Sequence, residues 1–396
     1  MPTTDIDTAN AAQAKDAPRN PLVALVALGQ SVWLDYITRD LVRGGGLREL
    51  IERDGIRGMT SNPTIFQKAI AAGQAYDQQI SELIGQGRDA GAIFEALAVR
   101  DIQDACDLFR PLYDETGGAD GYVSIEVAPR LAHDGPATEA EARRLWQAVG
   151  RPNVMIKVPG TSEGAQAIAP LLRDGINVNV TLLFSLASHE RVMWAYVEAL
   201  EARAAAGQPL DRIASVASFF VSRVDTLVDR LLDERIAQTS DAAEQERLRS
   251  LRGRAAIANA RLAYARFREI FDGERFARLR AQGAQVQRPL WASTGTKNPA
   301  YGDVYYVEAL IGPDTVNTVP EPTLRAFLDH GQVRRTVDTG LDEARATLDA
   351  LAKAGIDYDA VTRQLEDEGI ALFIASYDEL IAGVEQKRQA RAGSKQ

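Results

Sequence analysis

Eight short stretches rich in apolar and β-branched residues, separated by helix-patterned segments, set the strongest limit on how this 396-residue chain can fold. In chain order they are SVWLDYI, GMTSNP, GYVSIEVAP, NVMIKVPG, NVNVTLLFS, IASVASFF, RPLWASTGT and TVNTVP, and each predicts a strand. Between them apolar residues return at helical spacing, as Val224, Leu227, Val228, Leu231, Leu232 and Ile236 do after the sixth. Strands that alternate with helices pair in parallel through right-handed crossovers. Eight of them in a chain of this length favour an α/β fold closed into a (β/α)8 TIM barrel over an open sheet.

Two connections are too long for one crossover helix. Residues 64–120 and 224–288 are expected to carry extra helices, around Ile93 to Tyr113 and Asp241 to Phe271, and a further helical block, Leu341 to Lys387, follows the eighth strand. Neither a fixed-period repeat nor a Gly-Ser linker interrupts residues 21–387, so one elaborated domain is expected. The first 20 residues are small and polar and cannot offset their ordering entropy, which predicts a disordered leader. Residues 388–396 are expected to fray.

Lys and Arg number 45 against 55 Asp and Glu, a net charge of −10, which argues against nucleic acid as a partner. The single cysteine, Cys106, can form neither an intrachain disulfide nor a thiolate cluster, which suits a reducing cytoplasm. The longest apolar run, Leu22 to Leu28, falls far short of the ~20 residues that span a bilayer, so no membrane association is expected. His133, His189 and His330 stand in no metal-ligand spacing, and ordinary surface or capping roles are expected for them. Arg247, Arg249, Arg252 and Arg254 read as a solvated face.

Barrel strands are buried on both faces and should be nearly continuous Val, Ile and Leu. Several here are not. In NVNVTLLF, Asn177, Asn179 and Thr181 are spaced by two and share one face, while Val178, Val180 and Leu182 face the helices. The same parity pairs Ser124 with Glu126, Met155 with Lys157 and Ser218 with Phe220. Any one of these polar groups reads equally well as a structural hydrogen-bond partner, but together they converge at one end of a barrel. Lys157 is the most informative. Flanked by Val154, Met155, Ile156 and Val158 it must lose hydration, and burial favours a neutral amine able to condense with a carbonyl. A buried salt bridge with Glu126, or an amine snorkelling from the strand end, accounts for it equally well.

In GQSVWLDYI, GMTSNPTIF, VSIEVAPRL, NVMIKVPGT, GINVNVTLLFS, SVASFFVSRVD and PLWASTGTKNP the chain resembles transaldolase, specifically the longer bacterial members of that family. The likeness runs from about Asn20 to Lys387, with the motifs in family order. It implies a (β/α)8 barrel whose Schiff-base lysine lies on the fourth strand, where Lys157 stands. The implied enzyme is a transferase of the non-oxidative pentose phosphate route. It moves a dihydroxyacetone unit from sedoheptulose 7-phosphate or fructose 6-phosphate to an aldose phosphate, glyceraldehyde 3-phosphate or erythrose 4-phosphate. No cofactor and no metal is implied, because the iminium itself serves as electron sink.

The resemblance makes Asp35 the acid/base at the C4 hydroxyl, and its setting between Trp33 and Ile37 suits a raised carboxyl pKa. Glu126, through a water held beside Thr181, would shuttle protons while the carbinolamine forms and dehydrates. Asn62, Asn179 and Ser218 would hydrogen-bond the dihydroxyacetone hydroxyls, since amides and hydroxyls donate and accept without titrating. Arg223 and Lys297 would take the phosphate; many transaldolases carry arginine where Lys297 stands, and lysine supplies the charge without the bidentate fork. Phe220 stands where related fructose 6-phosphate aldolases have tyrosine, and its dry ring would favour transfer over release of free dihydroxyacetone. Such an aldolase, or a non-catalytic phosphosugar-binding barrel, are the competing readings. The C-terminal block around Phe373 and Tyr377 is expected to close over the barrel mouth. Sugar phosphates are the expected partners, and monomer and homodimer both stay open.

Overall fold

A computed structural model describes residues 20–71 and 74–393. The polar leader up to residue 19 and the last three residues of the tail lie outside the described residues. All eight stretches form strands: β1 (Gln30–Asp35), β2 (Gly58–Thr60), β3 (Tyr122–Glu126), β4 (Val154–Pro159), β5 (Val178–Leu183), β6 (Ser215–Phe220), β7 (Arg288–Ala292) and β8 (Thr315–Val319). Each pairs in parallel with the next, and β8 closes on β1 to complete a (β/α)8 barrel. Helices pack outside and inward side chains fill the interior, so nearly every strand residue is buried.

Both long connections hold the extra helices. Pro63–Ala71, Asp77–Gly85 and Ala90–Glu115 lie between β2 and β3; Ser222–Gln238, Ala242–Arg249, Ala255–Phe271 and Glu274–Arg280 lie between β6 and β7. The arginines of the second insertion make exposed pairs, Arg247 with Glu244 at 2.6 Å and Arg252 with Asp233 at 3.0 Å. The N-terminal end of the barrel is plugged by charge. Asp120 accepts from Ser31 Oγ, from Trp33 Nε1 at 3.0 Å, from Arg57 Nε at 2.8 Å and from Arg288 at 3.2 Å. A buried carboxylate is tolerable there because its lone pairs are satisfied by two guanidinium groups and two neutral donors.

After β8 come helices Glu321–His330 and Leu341–Lys353, then a 36-residue helix, Tyr358–Gly393, about 54 Å long at 1.5 Å per residue. It is still helical at Arg388, where the sequence suggested a frayed tail, and Arg388 pairs with Glu385 at 2.7 Å. His189 also departs from expectation. It is 1% exposed, with its ring edge-on to Phe219 at 5.2 Å and neither nitrogen hydrogen-bonded, and burial pushes its pKa down to about 4. The cause is its place on the inner face of helix Leu186–Ala205, against β6. Cys106 is buried, and burial raises its thiol pKa. Among the described residues no helix is long and apolar enough to cross a membrane.

Candidate active site

At the C-terminal ends of the strands a cavity of about 440 Å³ is lined by Asp35, Asn62, Lys157, Thr181, Ser218, Phe220, Arg223 and Lys297. These eight residues come from six separate stretches of the sequence and meet at the end of the barrel where this fold gathers its reactive groups. The register explains part of the convergence: Glu126 sits opposite Lys157 across β3 and β4, and Lys157 sits opposite Asn179 across β4 and β5.

Lys157 is 5% exposed. Its Nζ lies 3.3 Å from Glu126 Oε2, donates to the Ser61 carbonyl at 3.3 Å, and stands 5.6 Å above the ring of Phe373. Of the readings the sequence left open, the geometry shows the buried ion pair with Glu126, with the amine held inside the barrel rather than snorkelling out of it. Glu126 approaches from an adjoining pocket that it shares with Ser61, Asn62 and Tyr377 rather than from the main cavity. Burial raises the Glu126 pKa, against the pull of Lys157. Its Oε2 is not aligned as a hydrogen-bond acceptor, and Thr181 Oγ1 is likewise buried without a protein partner.

Asp35 ends β1 on the cavity wall. Thr60 Oγ1 donates to it at 2.7 Å, and because that hydroxyl has one proton, the 2.6 Å contact between Thr60 and Thr318 must be donated by Thr318. Surrounding protein raises the Asp35 pKa, opposed by the charge of Lys157, the Thr60 hydrogen bond, and the charges of Lys297 and Arg223. Thr60 and Thr318 were not singled out from sequence. Their signal was position, since both sit at or next to a strand's C-terminal end.

Asn179 does not reach the cavity wall. It is fully buried one layer down; its Nδ2 donates to Ser124 Oγ at 3.0 Å and its Oδ1 accepts from Ser218 at 2.7 Å. Ser218, its proton committed to Asn179, presents lone pairs to the cavity. Asn62 has the opposite bias. Its Oδ1 accepts from the Ile65 amide at 3.0 Å, fixing the start of helix Pro63–Ala71 and leaving its NH₂ to donate.

Strict alternation in β5 stops after Thr181. The register shifts between Val180 and Leu183, and Leu182 takes a φ of 61°. Leu182 thereby packs beneath Gly369 of the terminal helix, where a Cβ would come within 2.9 Å of its Cδ2. That helix lies over the mouth as the sequence suggested. Leu372 and Phe373 line the cavity, Thr64 donates to Ser376 at 2.8 Å, and Tyr377 meets Phe94 edge-on at 5.8 Å.

Three cations edge the cavity without an ion pair among the described residues: Arg223, Lys297 and Lys68. Most arginines of this chain are paired, so these are notable as groups available to an anion. Arg223 stands 5.5 Å from the Phe220 ring, which in turn packs on Phe184 at 5.1 Å, and burial lowers its pKa. Lys68 went unnoticed in the sequence, although its spacing of four from Thr64 puts both on one helix face.

Residues 32–384 match the family profile described as Transaldolase/Fructose-6-phosphate aldolase. A protein of Trichodesmium erythraeum named transaldolase is 48% identical over 93% of this chain and 97% of its own length. Transaldolases of Thiobacillus denitrificans and Mycolicibacterium smegmatis are each 50% identical, over 90% and 92% of this chain and 97% and 96% of theirs. The closed eight-stranded parallel barrel is consistent with those likenesses: the chain belongs to the transaldolase/fructose-6-phosphate aldolase family.

Proposed function

We propose that the chain is a transaldolase that moves a dihydroxyacetone unit from sedoheptulose 7-phosphate or fructose 6-phosphate to an aldose phosphate, with Lys157 as nucleophile. The observation that carries this reading is the sequestered Lys157 amine, 3.3 Å from Glu126 Oε2, in a cavity that Asp35 also lines. The name shared by the relatives supports the activity.

Lys157 Nζ attacks the C2 carbonyl of the ketose. Protons pass from nitrogen to the C2 oxygen by way of Glu126, the carbinolamine loses water, and an iminium remains. The iminium draws electrons from the C3–C4 bond while Asp35 takes the C4 hydroxyl proton, so an aldose phosphate leaves and an enamine stays on Lys157. Enamine attack on a second aldose phosphate, with Asp35 returning the proton, is followed by hydrolysis. A raised Asp35 pKa suits a group that must both take and return that proton. Glu126 Oε2 and Thr181 Oγ1 keep unused hydrogen-bonding capacity, which suits a relaying water. Ser218 accepts from and Asn62 donates to the dihydroxyacetone hydroxyls, and Asn179 acts through Ser218. Arg223 and Lys297 bind the phosphate, and Phe220 and Phe373 keep water from the enamine. The reaction belongs to the non-oxidative pentose phosphate route, and we place it in the cytoplasm.

The test is a coupled assay with fructose 6-phosphate and erythrose 4-phosphate on wild type and Lys157→Ala. Transfer by wild type alone is expected; equal transfer by both would overturn the assignment. Free dihydroxyacetone appearing at the transfer rate without an acceptor would favour the aldolase reading instead.

A further inference from the structure

Lys297 lies in the loop after β7 and faces two cavities. One is the candidate active site; the other is a groove lined by Asp225, Asp229, Asp233 and Glu234, of which Asp233 is paired with Arg252 and Glu234 with Arg230 at 3.0 Å each. A long, exposed lysine on a loop is free to point into either, so something must set the loop.

The loop is closed on itself. Thr296 Oγ1 donates to the Gly302 carbonyl at 2.8 Å, and the Tyr301 amide donates to the Asn298 carbonyl at 3.0 Å. Its anchor is Tyr301, whose hydroxyl donates to Asp229 Oδ2 at 2.5 Å. The other Asp229 oxygen accepts from the Gly253 amide at 2.9 Å, and the Gly253 carbonyl accepts from Tyr305 Oη at 2.9 Å. Gly253 is required there on two counts: its φ is +70°, and a Cβ would stand 2.7 Å from Cζ of Tyr301. Asp229 and Arg223 share helix Ser222–Gln238. The helix bearing one cation of the rim therefore grips the loop bearing the other, across a turn supplied by the β6–β7 insertion.

We propose that Tyr301 is a positioning residue for phosphate recognition: clasped by Asp229 over Gly253, it sets the β7 loop so that Lys297 reaches the phosphate of the sugar rather than the neighbouring carboxylates. The same bond occupies Asp229, the groove carboxylate nearest the loop anchor, and so removes a competitor for Lys297. This inference rests on the reading of Lys297 as a phosphate ligand.

Steady-state kinetics with fructose 6-phosphate, and competitive inhibition by inorganic phosphate, separate the two. Tyr301→Phe is expected to raise the donor KM and the phosphate inhibition constant together by about tenfold, the worth of a weakened contact to a charged group, while kcat holds. Asp229→Asn, whose oxygen keeps the Gly253 amide and whose NH₂ faces a tyrosine hydroxyl that can turn to accept, is expected to lose less. Adding Lys297→Ala to Tyr301→Phe is expected to cost no more than Lys297→Ala alone. If Lys297→Ala raises both constants and Tyr301→Phe moves neither, the clasp is wrong and the phosphate reading stands. If Lys297→Ala moves neither, both fall. A Tyr301→Phe variant that loses kcat and thermal stability at unchanged KM would reduce Tyr301 to a structural role and overturn the proposal.

Discussion

Replacing Asp225 by asparagine should reshape the pH dependence of stability in a calculable way. Asp225 is 1% exposed on helix Ser222–Gln238; Oδ1 accepts from the Ala256 amide at 2.8 Å and Oδ2 from Tyr306 Oη at 2.9 Å. Burial, reinforced by Asp229, pushes its pKa from 3.8 to about 7 despite those hydrogen bonds. In that window the native carboxyl keeps a proton that the unfolded chain has released. The unfolded state therefore binds fewer protons, and stability falls as pH rises from about 4 to about 7, then levels. A shift of roughly three units corresponds to about 4 kcal/mol. Asparagine fits the same site: its oxygen takes the Ala256 amide, and its NH₂ donates to the Tyr306 hydroxyl, which turns to accept. That exchange costs about 1 kcal/mol at most. Urea unfolding of both proteins between pH 4 and pH 8 should show Asp225→Asn no more stable than wild type at the acid end and about 3 kcal/mol more stable at the alkaline end. Equal stability differences across the range would refute the reasoning.

His189 carries the opposite sign. Its depressed pKa makes the unfolded state the better proton binder between about 4 and 6.5, so its contribution is present above that window and lost as pH falls through it; His189→Phe should flatten this part of the profile, read by the same urea series. Asp120→Ala removes the common acceptor of Arg57 and Arg288 at the base of the barrel and should destabilise the protein by about 3–5 kcal/mol, measured by chemical denaturation. Phe220→Tyr places a hydroxyl at the wall of the cavity and should raise the yield of free dihydroxyacetone relative to transfer, measured by product analysis without an acceptor.

The barrel was legible because its signal is local. A run such as NVMIKVPG carries its own strand, and the polar parity of Asn179 and Thr181 announces an inward face within a few residues. What lay hidden depends on partners far along the chain. Asn179 shares its face with Thr181, yet only the register with Ser124 and Ser218 shows that its amide is already spent. Leu182 obeys alternation on paper and breaks it in the fold, because the terminal helix leaves room beneath Gly369, nearly two hundred residues later. His189 looked like a surface histidine because its helix is only weakly two-faced, and Phe219 covers it from another strand. Tyr301 gave no sign at all, since its partner Asp229 lies 72 residues away.

The central claim is that the Lys157 nitrogen condenses with the ketose. Borohydride reduction of the protein in the presence of fructose 6-phosphate, followed by digestion and mass spectrometry, tests it without reference to any rate. Reduction of the iminium should leave the sugar-derived fragment on the peptide that contains Lys157, with none on the corresponding Lys157→Ala peptide. An unmodified Lys157 peptide from protein that still transfers dihydroxyacetone would contradict the account.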